Sequence, residues 1–161
     1  MKIRVDLSKV VPSSEIKGED ETETAGLKRL LEEANKFLAT FDWCVGIKDS
    51  YLGIGIAGVI GVFLFKIAPR RKNVDTWIWV VVGDIPPAYI SAESNPNPAS
   101  ALFGYIWEMR KWIKAVKLGK SVEDLMPVNI PPTSEWAIAL ERRLKFFDEE
   151  ILAKYQDDLR N

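Results

Sequence analysis

Hydrophobic residues concentrate in one double run at 51–90. The chain reads YLGIGIAGVIGVFLFKIA, breaks at PRRKNVD, and resumes as TWIWVVVGDIPPAYI. The second run is β-branched and aromatic, from Thr76 through Val82, the composition of a strand covered on both faces. In that strand Trp77 and Trp79 share one face, and Ile78 and Val80 the other. Two apolar strands around a polar, basic break predict a buried β-hairpin over 51–83. Gly53, Gly55, Gly58 and Gly61 then mark a bulge or the close approach of a helix. The alternative is membrane association through 51–68. Gly53, Ala57 and Gly61 have the small-residue spacing of packed membrane helices, with Arg70, Arg71 and Lys72 as a charged flank. A spanning helix needs ~20 apolar residues, however, and Lys66 ends this run early.

Around the hairpin the period changes from two to that of a helix. Leu27, Leu30, Leu31, Ala34, Leu38 and Phe41 predict a first helix over 27–40, with Thr24 as its N-cap. Leu102, Ile106, Met109, Ile113 and Val116 predict a second over 99–118, its stripe widened by Phe103, Trp107 and Trp112. Pro98 lies near its first turn and Gly119 just past its end. A third, over 133–155, has Trp136, Leu140, Leu144, Phe147, Ile151 and Tyr155 on one side, behind a Thr133 or Ser134 cap. The alternation of Ile3, Val5 and Leu7 suggests a short N-terminal strand, and the acidic stretch 13–24 a flexible loop. The expected fold class is α+β: a small antiparallel sheet centred on the 51–83 hairpin, packed by about three amphipathic helices. The expected division is a strand and flexible segment over 1–24, then one domain over 25–161.

Composition narrows the chemistry. The 161 residues carry no histidine and one cysteine, Cys44. That excludes a Ser-His-Asp triad, a Cys-His pair, histidine metal sites and an internal disulfide. Lysine and arginine total 22 against 23 acidic residues, a net charge of −1, which gives no global attraction to nucleic acid. With no apolar signal-peptide core near Met1, a reduced, cytoplasmic setting is expected, with no metal and no cofactor.

The richest candidate site is the turn Gly83-Asp84-Ile85-Pro86-Pro87-Ala88-Tyr89. A carboxylate at the end of a buried strand, beside two rigid prolines and a tyrosine, suits a ligand contact or a general base. It suits equally a cap on the turn's own N–H groups. Glu93, Glu108 and Glu135 are the carboxylates that would join Asp84 in acid–base or metal work, although their spacing fits no metal motif. Six tryptophans are many for one small core. Trp107 and Trp112 point ~140° apart on an ideal helix, so at least one belongs at a surface, where tryptophan is a favoured anchor.

The segments WVVVGDIPPAYI, NPNPASALFGYIWEMRKWIKAV and LGKSVEDLMPVNIPPT resemble a family of small soluble bacterial proteins of unknown function, over roughly 40–155. The resemblance implies a single soluble bacterial domain and brings no catalytic residue with it. The expected function is therefore a non-enzymatic interaction protein of accessory, inhibitor or toxin-immunity type. Its protein partner or homodimer contact would use Asp84, Tyr89, Glu93, Trp107, Glu108 and Trp112. The alternatives are a small-molecule-binding protein or enzyme, with a pocket formed by Asp84, Tyr89 and Glu108, and the membrane-associated protein above.

Overall fold

The computed structural model describes residues 5–71 and 76–159. Five strands form one antiparallel sheet in the order β1-β2-β3-β4-β5: β1 (Val11–Pro12), β2 (Cys44–Ile56), β3 (Ile60–Pro69), β4 (Trp77–Gly83) and β5 (Ala88–Ser91). Helix α1 (Glu21–Ala39) covers one face, and α2 (Pro98–Lys117) with α3 (Ser134–Phe146) the other. The fold is α+β, as the change of period predicts.

The 51–68 run is divided differently from its sequence pattern. Residues 51–56 end β2, a tight turn follows at 57–59, and β3 begins at Ile60, paired back onto Ile56. Gly58 sits in that turn at φ 75°, a conformation that costs glycine little. Nothing in the uniformly apolar Ala57-Gly58-Val59 announces the reversal by polarity. The run is thus two strands of the sheet core rather than a membrane helix, and no described helix is long and apolar enough to cross a membrane. β3 then pairs with β4 from Ile60↔Gly83 to Lys66↔Trp77, the hairpin read from the sequence. Lys72 of the basic break lies outside the described residues.

Strands β3 and β4 are buried on both faces. Phe63, Phe65, Ile67, Ile78, Val80 and Val82 meet Leu27, Leu30, Ala34 and Leu38 of α1. Val62, Leu64, Trp79 and Val81 meet Leu102, Tyr105, Ile106, Met109, Trp112 and Ile113 of α2 with Leu140 and Leu144 of α3. Each fully buried side chain of this size contributes roughly 1.5–3 kcal/mol. A register shift at Leu52/Ile54 surrounds Gly53, whose missing Cβ leaves room for the Pro98 ring of α2. That is the bulge and close helix approach the glycines suggested.

Element ends depart from expectation where capping wins over periodicity. α1 starts at Glu21 rather than Leu27, because the Asp20 carboxylate accepts the Glu23 N–H at 2.8 Å. Thr24 lies inside its first turn, and its Oγ1 accepts from the Gly18 N–H. Part of the presumed loop at 13–24 is therefore helix, while Val10 and Ile16 pack into the two cores. Ile3 lies outside the described residues, and Leu7–Lys9 form a 3-10 turn rather than a strand. α2 begins at Pro98 behind Asn97, which completes a capping box with Ser100. α3 is capped by Thr133 as read, but it gives way at Phe147–Ile151 to a wider π-type turn. That turn keeps Phe147 and Ile151 facing the core.

Candidate functional site

The β4–β5 turn is held from three sides. Gly83 takes φ 137°, and a Cβ there would collide with the Val59 carbonyl oxygen, so glycine is required on both counts. The Asp84 N–H donates to that same oxygen at 3.0 Å. From α2 the buried Tyr105 hydroxyl donates to the Pro86 carbonyl at 2.6 Å. Burial pushes the Tyr105 hydroxyl well above its usual pKa, so it remains a donor at any ordinary pH.

Against this turn α3 and the preceding loop build a cleft of about 320 Å³. Its walls are Pro86 and Pro87 on one side and Trp136 and Leu140 on the other, with Ile130 between them. Arg143 pairs with Asp84 at the rim, both side chains more than half exposed. The Asp84 carboxylate thus neither caps its own turn nor faces an apolar interior. It is an exposed ion-pair partner, worth ~0–1 kcal/mol.

The structure does not bring the other sequence-derived residues to this cleft. Tyr89 pairs with Val80 in β5 and so faces the α1 side. There it packs edge-to-face on Phe41 and Trp43, with ring centroids at 5.1 and 5.0 Å, and tilted against Phe37 at 6.5 Å. The sheet separates it from Asp84. Glu93 is exposed beyond β5, its N–H bonded to Ser91 Oγ. Glu108 pairs with Lys111 one turn along α2. The pocket expected from Asp84, Tyr89 and Glu108 does not form. Among the described residues, no group of three or more acidic, cysteine or histidine side chains is placed to hold a metal ion. Cys44 is half-buried, and desolvation raises its thiol pKa, the opposite of an activated nucleophile.

The tryptophans divide sharply. Trp79 is buried and donates its indole N–H to the Asn95 carbonyl at 2.8 Å. Trp112 is 2% exposed, packed between the sheet and α3, which removes it from any partner surface. Its five-residue offset from Trp107 turned it inward. Trp107 is 58% exposed and Phe103, one turn earlier, 49%. Their rings stack on each other at 6.4 Å with planes 23° apart. Both were expected to widen the buried stripe, but the stripe widens on its other flank, through Ala101, Tyr105 and Trp112. Trp136 is likewise half exposed, because Ala137 takes the core position in the first turn of α3.

Three residues of the two surfaces were thus missed. Phe103 and Trp136 read as core because an amphipathic stripe does not show which flank a neighbouring helix covers. Arg143 had no sequence signal at all, since its partner Asp84 lies in a distant element. Comparison with family models, with curated proteins and with solved structures gives no match.

Proposed function

We propose that the protein is a non-enzymatic binding protein, of the accessory, inhibitor or toxin-immunity kind, whose protein partner docks on the exposed face of α2 around Phe103 and Trp107. The carrying observation is the stacked aromatic pair, kept in solvent while Trp79 and Trp112 of the same chain are packed away. A half-exposed tryptophan on a rigid helix gives large contact area at small entropy cost, the profile of an interface anchor. The surrounding charges support the same reading. Glu108 with Lys111, Arg110 with Asp148 and Lys117 with Glu141 form an exposed polar border, as around interface hot spots. A cytoplasmic setting suits the single unpaired cysteine.

The test compares the wild-type chain with Trp107→Ala in affinity purification from the native host and in solution mass measurement. Loss of a specific partner, or of self-association, in the variant alone supports the reading. Identical partners and mass in both sink it.

A second reading rests on the Trp136 cleft. Its volume reaches the lower end of small-ligand sites, roughly 300–1,000 Å³, and its proline wall is held rigid by Tyr105. Small-molecule screening by NMR should then shift resonances of Trp136 and Ile130. Shifts scattered elsewhere, or none, would remove it.

A further inference from the structure

Helix α2 carries a second stripe, one residue on from its core stripe and so turned ~100° from it. Phe103, Trp107, Arg110, Lys114 and Lys117 recur at 4, 3, 4, 3 spacing and are all exposed, so they form one outward face. The face is graded from stacked aromatics to cations, then ends on Leu118, which is again exposed. Toward α3 its cationic half opens into a cleft of about 400 Å³, floored by Ile113 and edged by Arg110, Lys114, Lys117 and Glu141. Resting on the reading that this face docks a protein, we infer that the partner presents an acidic segment. Its aromatic or aliphatic side chain sits on Phe103 and Trp107, and its carboxylates lie along Arg110, Lys114 and Lys117.

Three observations favour carboxylates as the counter-charge. Arg110 and Lys117 already hold carboxylate oxygens, of Asp148 at 3.1 Å and of Glu141 at 2.9 Å, so the spacing between these side chains accommodates that group. Both pairs are exposed, and such pairs exchange partners at little cost. Lys114, between them, has no anionic partner among the described residues and offers a ready counter-charge. Within a chain of net charge −1, helix α2 has four cations, Arg110, Lys111, Lys114 and Lys117, against the single anion Glu108. With Asp148 and Glu141 beside Arg110 and Lys117, the face keeps an excess of one cation, Lys114, and so favours an acidic over a basic partner. A polyphosphate is less suited, since it presents nothing apolar to Phe103 and Trp107. A bilayer is less suited because the apolar part is only the ring pair and Leu118, with charges between them.

The experiment measures fluorescence anisotropy of a labelled synthetic peptide alternating glutamate with phenylalanine and leucine. The comparators are a glutamate–serine peptide of equal length, oligothymidylate and phosphatidylglycerol vesicles. The first peptide should bind best, and more weakly as salt is raised. The double reversal Lys114→Glu with Lys117→Glu should weaken it by about tenfold or more, as should Trp107→Ala, with thermal midpoints close to wild type. Absence of binding, or binding indifferent to the charge reversal, overturns the inference. So does oligothymidylate or vesicle binding as tight as the peptide's. If the peptide fails while Trp107→Ala still abolishes native-partner capture, the docking face stands and only the partner's chemistry is wrong.

Discussion

The two faces of the sheet are equally apolar but do different work. Against α1 the contacts are aliphatic side chains and phenylalanines, with no hydrogen-bonding side chain in the buried set. Against α2 and α3 the core includes Trp79, Tyr105 and Trp112. Two of these reach out of it, Trp79 to the Asn95 carbonyl and Tyr105 to the Pro86 carbonyl. The first face is a seal. The second uses buried rings with polar tips to fix the loops on either side of β5. Both candidate surfaces, the Trp136 cleft and the outward stripe of α2, belong to the elements of that second face, where loop and helix geometry is specified from inside.

Substitutions on the two faces should separate these roles. The largest effect is expected at Trp112→Ala, a loss of ~3–5 kcal/mol in denaturant unfolding; a loss below ~1 kcal/mol would show that the ring is not packed as described. Leu38→Ala on the α1 face should cost ~2–5 kcal/mol while leaving the NMR resonances of 84–87 in place. Movement of those resonances would mean that the seal also positions the turn.

Tyr105→Phe is the sharper probe, because it removes one atom. Leaving the Pro86 carbonyl without its donor should cost ~1–3 kcal/mol and shift resonances around Trp136. It also carries a pH signature. The folded hydroxyl holds its proton more tightly than the unfolded one, so its contribution is complete below the unfolded value of ~10. It falls as pH rises above that value. Wild-type stability should therefore decline more steeply than the variant's in the alkaline range. Parallel profiles would remove Tyr105 as the cause. The smallest effect is expected at Trp107→Ala, within ~0.5 kcal/mol of wild type, since more than half of that side chain is already in water. A large loss there would make it a core residue and undo the contrast with Trp112.

Where packing follows local period, the chain could be read directly. Trp77 through Val82 gave a strand with its two faces correctly sorted, and Leu102, Ile106, Met109 and Ile113 gave the buried side of α2. Reading failed where a local exception or a distant partner decides. β2 begins at Cys44, inside FDWCVGIKDS, but register shifts at Cys44/Gly46 and Ile47/Asp49 erase its alternation. The 57–59 turn is apolar and depends on one backbone conformation at Gly58. For the candidate surfaces, the sequence drew attention to the proline turn and to Trp107, because rigid turns and surplus tryptophans are local features. It did not bring Arg143 to Asp84, or separate Tyr89 from it. Those outcomes depend on α3 packing across β4–β5 and on which sheet face each residue of a short strand occupies.

The sheet's strand order has a kinetic consequence. From β3 to β5 each strand pairs with the one just before it in the chain, so those ladders close over short loops with little loss of chain entropy. Low sequence separation between partners favours rapid assembly. Strand β1 is the exception, since α1 lies between it and β2. Refolding should proceed outward from the β2–β3–β4 ladder, with Val11–Pro12 joining last. Substitutions in β1 should then speed unfolding and leave the folding rate nearly untouched.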